Sequence, residues 1–117
     1  MIPHITIQTP KQEETIEFYQ WLLELPIARK IEIPGHEIVF LGEEGTLFEI
    51  IKDESAEKIS AKALSIGFAV ESLDDKLAML DEKGVPHSDV ISPNPSIQFA
   101  FFEDLNGCNI QLVEEKH

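Results

Sequence analysis

The sequence predicts an α+β fold made of two tandem copies of one βαβββ module, and three observations carry that reading. The segment Gly45-Thr46-Leu47-Phe48-Glu49-Ile50-Ile51 returns 62 residues later as Gly107-Cys108-Asn109-Ile110-Gln111-Leu112-Val113. Each segment is a short, largely apolar strand with an acid or amide at its fifth position, Glu49 or Gln111. The order strand, helix, three strands can be read once before the polar stretch 53–62 and once after it. A period of about 60 residues in a chain of 117 allows two copies of a supersecondary unit and excludes a solenoid, which needs at least three.

His4-Ile5-Thr6-Ile7-Gln8-Thr9 alternates, with Ile5 and Ile7 on one face and His4, Thr6 and Gln8 on the other, the pattern of a half-buried strand. Thr9-Pro10-Lys11-Gln12 then supplies a capping residue, a proline at the first helical position and a glutamine three residues after the cap, which predicts a helix start. Ile16, Tyr19, Leu22 and Leu23 form its apolar stripe, and Pro26 ends it. Residues 29–33 and 37–41 read as strands around the turn Pro34-Gly35, and residues 46–52 as a third. In the second copy, Ser65, Gly67 and Ala69 alternate with Ile66, Phe68 and Val70. Ser72 with Asp75 gives a cap signal, Leu73, Leu77 and Leu80 give the stripe, and Gly84 sits where a left-handed helix end belongs. Residues 86–90 read as a weak strand, 92–96 as a loop, and 97–102 and 109–114 as stronger strands. The predicted organisation is one domain, with module 1 over about residues 1–53, a connector at 54–63 and module 2 over about 64–117.

Composition narrows the function. Hydrophobic residues make up 43% of the chain, enough for a packed core. With 22 acidic against 9 basic residues the net charge is −13, which repels phosphate backbones and anionic lipid surfaces, so neither nucleic acid nor membrane is an expected partner. The lone cysteine, Cys108, excludes an internal disulfide and a cysteine-based zinc cage and suits a reducing compartment. The start carries no basic segment followed by an apolar run, and no apolar run approaches the ~18 residues of a membrane span, so a cytoplasmic protein is expected. Glycine-rich phosphate loops, a Gly-x-Ser-x-Gly elbow and a His-Glu-x-x-His pair are absent, which argues against kinases, dinucleotide enzymes and serine hydrolases.

Phe18-Tyr19 and Leu23-Glu24-Leu25 in the first copy, with Ser65-Ile66-Gly67-Phe68, Lys83-Gly84-Val85 and Phe101-Phe102-Glu103-Asp104-Leu105-Asn106-Gly107 in the second, resemble marks of the vicinal oxygen chelate superfamily. Glyoxalase I, bleomycin-resistance proteins, fosfomycin-resistance enzymes and extradiol dioxygenases share that fold. Where this chain has Leu-Glu-Leu the family often has Leu-Gly-Leu, and the last segment looks like its Phe-Phe-x-Asp-Pro-Asp-Gly signature. The resemblance covers nearly the whole chain. It implies a glyoxalase/bleomycin-resistance/dioxygenase fold with a U-shaped, half-barrel cavity, a homodimer, and a metal site with ligands on the first and last strand of each module.

Those four positions fall on His4, Glu49, Ser65 and Gln111. Imidazole and carboxylate suit nickel, zinc, iron or manganese, an amide oxygen is a weaker donor, and a serine hydroxyl is rarely a ligand. Gln111 stands where glyoxalase I is assigned its base, and an amide cannot take a proton at neutral pH. The resemblance leaves two readings open: a small-molecule binder with an incomplete ligand set, or a metal-dependent lyase or isomerase of the lactoylglutathione lyase type. The second would use His4, Glu49 and Gln111 as ligands and Glu49 as the catalytic carboxylate. One divalent metal and none are equally compatible with these donors. On either reading Ser65, Gln111 and Phe102 are expected to line the ligand cavity.

Taken alone, His4 reads as a solvated strand histidine. Glu49, between Leu47 and Ile51 on its own face, needs water, a partner or a cation. His36, His87 and His117 have no pairing spacing and are expected at the surface. Cys108 reads as a packing residue, and Tyr19, Trp21, Phe99, Phe101 and Phe102 read chiefly as core, with alternate members of the last aromatic strand able to stack on a planar ligand.

Overall fold

The computed structural model describes residues 1–116, so the reading of His117 lies outside the described residues. The chain divides into two compact units, Met1–Lys58 and Ile59–His117. The first runs β1 (His4–Thr9), α1 (Gln12–Leu23), β2 (Ile27–Ile33), β3 (His36–Leu41) and β4 (Leu47–Lys52); the second runs β5 (Ile66–Ala69), α2 (Leu73–Lys83), β6 (Ile91–Asn94), β7 (Ile97–Glu103) and β8 (Asn109–Glu115). Strand order is β1-β4-β3-β2 in one sheet and β5-β8-β7-β6 in the other, so neither sheet closes on itself. In each, the first strand pairs in parallel with the last and the other pairs are antiparallel. The duplicated βαβββ order expected from the repeat is present.

In unit 1 the strand alternation sends Ile7, Val39, Leu41, Phe48 and Ile50 to one buried face, beneath α1. Tyr19 and Leu22 are fully buried, and the Tyr19 ring meets Phe48 edge-on at 5.0 Å between centroids. The buried stripe of α1 is Gln12, Thr15, Tyr19 and Leu22, a 3-4-3 spacing that leaves Ile16 and Leu23 half-buried at its margins.

The predicted cap at Thr9 is corrected: α1 begins at Gln12, and its N-cap Lys11 makes no side-chain capping bond. The Thr9 hydroxyl instead accepts the Lys11 N–H at 2.9 Å, forming a turn before the helix. Gln12 cannot serve a capping box because its amide donates to the carbonyls of Glu37 (2.9 Å) and Ile50 (3.0 Å), tying the helix start to the sheet. At the other end Glu24 takes a left-handed conformation (φ 55°) and donates its N–H to the Gln20 carbonyl.

Unit 2 follows its sequence signals closely at the helix. The Ser72 hydroxyl accepts the Asp75 N–H at 3.2 Å, and Gly84 ends α2 at φ 72°. Leu73, Leu77 and Leu80 are buried, as are Ala100, Phe102, Ile110 and Leu112. Glu114 on β8 reaches the helix start, accepting the Leu73 N–H at 2.8 Å where an anion meets the positive end of the helix dipole. The weak strand predicted at 86–90 and the loop at 92–96 are corrected, since β6 occupies Ile91–Asn94. Pro93 is tolerated there because β6 is an edge strand, where a missing N–H costs no ladder bond. Asn94 Oδ1 accepts the Ser96 N–H at 2.8 Å and closes the tight turn into β7.

The signature segment builds a turn. Asp104 is buried, and its Oδ1 accepts the N–H groups of Asn106 and Cys108, both at 2.9 Å, while Gly107 supplies φ 83°. Cys108 is buried beside it, and burial, with the charge of Asp104, pushes its thiol up to about 11. It packs and does not present a thiolate.

Candidate functional site

The alternation that buries Ile7 and Ile50 sends the intervening side chains of unit 1 to the face away from α1. Register places Thr6 opposite Glu49, Glu49 opposite Phe40, and Phe40 opposite Arg29, so these four form a row across the sheet. Glu49 is 9% exposed. The Thr6 hydroxyl donates to Glu49 Oε1, and His4 Nε2 lies 3.6 Å from the same oxygen. The His4 ring also meets Phe40 edge-on at 5.9 Å, and the Arg29 guanidinium sits 4.4 Å from the Phe40 ring centroid, a cation–π contact. Phe40 is buried like Glu49, whereas Thr6 and Arg29 are exposed and the His4 side chain is 43% exposed.

Unit 2 repeats the register with other residues. Gly67 stands opposite Gln111 and Gln111 opposite Phe101; the next row is Ala69, Val113 and Phe99. Phe99 and Phe101 pack edge-on at 5.8 Å. Ser65 precedes β5 by one residue and is exposed, and Gln111 is half-buried. An open groove of about 480 Å³ lies on this unit, lined by Gly67, Ala69, Val113, Glu71 and Glu115 among others.

The structure therefore brings His4 and Glu49 together in unit 1, and sets Gln111 at the equivalent strand position of unit 2. Phe102 sits on the opposite face from Gln111, 4% exposed, across from Ile110 under α2; the aromatic flanking Gln111 is Phe101. Thr6, Arg29, Phe40 and Gly67 went unnoticed as site residues. Thr6 and Gly67 were visible on the His4 and Ser65 faces of their strands, but cross-strand register is needed to show that they oppose Glu49 and Gln111. His87 is not a free surface imidazole as expected. Its Nε2 lies 2.8 Å from Asp81 Oδ1 and its Nδ1 2.7 Å from the Ser88 carbonyl, and the bond to Ser88 leads the causes that raise its pKa. Among the described residues no three of His, Cys, Asp and Glu are grouped to hold a metal ion.

His4 and Glu49 fit one divalent ion as a pair. Two donors about 2.1 Å from an ion in tetrahedral arrangement stand about 3.4 Å apart, close to the separation seen. They supply two strong donors, one fewer than an open catalytic site usually holds.

Two tandem βαβββ units, each with its first strand paired in parallel with its last and with Glu49 or Gln111 at the equivalent position of that last strand, define a duplicated-module protein. The sequence matches the Glyoxalase/Bleomycin resistance protein/Dioxygenase superfamily over residues 1–112, and the chain belongs to that superfamily. Among solved structures it is similar to the trypanothione-dependent glyoxalase I of Leishmania major, at 24% identity and TM-score 0.83, covering 98% of this chain and 86% of that one. A glyoxalase family protein from Bacillus cereus aligns at 17% identity and TM-score 0.82, covering 99% and 94%. An antibiotic-binding protein from Streptomyces sp. CB03234 aligns at 16% identity and TM-score 0.74, covering 99% and 96%. At these identities the likeness establishes the fold. No curated protein matches the chain.

Proposed function

We propose that this chain is a small-molecule-binding protein of the superfamily, with an incomplete set of metal ligands. One observation carries the reading: the same strand positions hold Thr6 and Glu49 in unit 1 but Gly67 and Gln111 in unit 2. A strong donor held by a hydroxyl in one copy is a weak donor beside a missing side chain in the other. The likeness to an antibiotic-binding protein supports a binding role. The exposed Ile27, Ile31 and Ile33 of edge strand β2 support a homodimer, which light scattering at micromolar concentration tests. Among the described residues no helix is long and apolar enough to cross a membrane; a cytoplasmic location is part of this reading.

The separation of His4 and Glu49 favours a second reading, a metal-dependent lyase or isomerase using His4, Glu49 and Gln111. A divalent ion would there polarise neighbouring substrate oxygens. The chain's own contribution would be Glu49 as the proton-transferring carboxylate, its orientation fixed by the Thr6 hydroxyl, since Gln111 cannot take a proton. Elemental analysis followed by reconstitution with nickel, zinc or manganese, then assay with the hemithioacetals of glutathione and trypanothione, separates the two. Binding without turnover is expected: the chain has one arginine to hold an anionic thiol adduct and a net charge of −13. Metal-dependent formation of a lactoyl thioester would replace the first reading with the second.

A further inference from the structure

The face of unit 2 that corresponds to the Glu49 face of unit 1 has lost side chains as well as a charge. Where β1 presents Thr6 and Gln8, β5 presents Gly67 and Ala69, against Gln111 and Val113 of the parallel partner strand. Glycine inside a strand weakens it, and such a position often marks a close approach by a ligand. The backbone does not require a glycine here: unlike five other glycines of the chain, Gly67 has no positive φ, and a Cβ built on it would meet only Gln111 Oε1, at 3.4 Å. What the missing side chain leaves is room. The groove of about 480 Å³ falls within the range of pockets that hold drug-sized molecules.

Its chemistry is asymmetric. Gly67, Ala69 and Val113 bring only small apolar side chains to the groove, which leaves strand backbone as part of the lining. Glu71, just past the end of β5, and Glu115, at the end of β8, add two carboxylates to the lining, and neither has an ion-pair partner among the described residues. Against a net charge of −13, an anion entering here would meet repulsion both locally and at long range.

We propose that this groove is a recognition site for a flat organic cation, its planar body lying on Gly67 and Ala69 and its positive group directed to Glu71 and Glu115. The inference rests on the reading of the chain as a small-molecule binder and names the class of ligand.

Proflavine, a planar aromatic cation, and pyrenesulfonate, a planar anion, serve as probes in fluorescence and calorimetric titrations of the intact protein. Proflavine is expected to bind at one site per chain, and pyrenesulfonate to bind at least tenfold more weakly. Gly67→Val fills the groove without changing charge and should reduce proflavine affinity tenfold or more. Glu71→Gln with Glu115→Gln should reduce it about tenfold and flatten its salt dependence. A valine suits a strand, and urea unfolding of Gly67→Val, expected to match or exceed the parent, checks that the variant folds. Proflavine binding that Gly67→Val leaves unchanged overturns the proposal, because dye held only by general negative charge behaves in that way. Binding of pyrenesulfonate with loss in Gly67→Val overturns the cation while leaving small-molecule binding intact. Failure of the parent to bind proflavine overturns the groove assignment, whereas the binder reading itself stands or falls on the turnover assay.

Discussion

The two units share a backbone register and differ in what they hang on it. On the helix-covered faces the substitutions conserve apolar bulk: Ile7, Phe48 and Ile50 in one copy correspond to Phe68, Ile110 and Leu112 in the other. On the opposite faces Thr6, Glu49 and Phe40 correspond to Gly67, Gln111 and Phe101, so a hydrogen-bonded carboxylate becomes an amide beside a gap. Even the tie between helix and sheet is reversed. Gln12 reaches from α1 to strand carbonyls, while Glu114 reaches from β8 to an N–H of α2. A packed face is held by volume, since each lost methylene costs about 1 kcal/mol or more. The other face is free to specialise, and the two copies have done so in different directions.

The largest effect is expected from rewriting unit 2 in the image of unit 1. Ser65→His with Gln111→Glu recreates the imidazole and carboxylate at the positions equivalent to His4 and Glu49, and nickel or zinc affinity measured by calorimetry should rise by orders of magnitude over the parent. The same two residue types placed on exposed positions of β6 should change it little. A folded double variant that binds metal no better than the parent would break the equivalence, showing that shared register does not carry shared ligand geometry.

Next in size is the turn before the last strand. Unit 2 builds it with a buried side chain, Asp104, whereas unit 1 leads into β4 through Gly42 and Gly45, both at positive φ. Asp104→Ala strands two buried N–H donors and should cost about 2–4 kcal/mol. Gly45→Ala strains one exposed residue and should cost about 1 kcal/mol. Urea midpoints at unchanged slope would show the difference, and equal costs would mean the two turns are held alike.

This contrast also marks what could be read from the chain. The signature Phe101–Gly107 was legible as a motif, but its physical task, backbone capping by Asp104, emerged only from the fold. Strand β1 and the ends of α2 were legible because alternation, a serine cap and a C-terminal glycine are local signals. The start of α1 was not, because Gln12 is claimed by carbonyls 25 and 38 residues away. Phe102 was expected to line the cavity with Gln111, but a shift of one residue in a strand reverses the face, and Phe101 is the aromatic opposite Gln111. Strand β6 was missed because prolines argue against a strand unless it is known to be an edge.

A smaller effect is expected where α1 ends. Unit 2 closes its helix with Gly84, and unit 1 closes its own with Glu24 in the same left-handed region. Glutamate pays a steric cost there that glycine avoids, so Glu24→Gly should stabilise the protein by about 1 kcal/mol. A loss of stability would mean that the Glu24 side chain makes up the strain by other means.

The smallest effect is a dependence on pH confined to unit 2. His87 stands opposite Phe102, where unit 1 has Ile27 opposite Leu41. Both partners of its ring, the Ser88 carbonyl and the Asp81 carboxylate, are acceptors only, so both bonds form together only when both ring nitrogens carry protons. The Ser88 bond and the charges of Asp81 and Asp89 accordingly raise the pKa above 6.5, outweighing the opposing effect of burial. A folded-state value above the unfolded one means that the stabilisation is complete below the unfolded pKa and is lost as pH rises through the folded one. The unfolding midpoint of the parent should therefore exceed that of His87→Gln most at about pH 6, with the gap narrowing toward about pH 8.5. Asp81 is exposed and its share is screened, so Asp81→Asn should reduce the slope without abolishing it. A gap that stays constant across this range would mean that His87 holds α2 to β7 by packing and a neutral hydrogen bond alone.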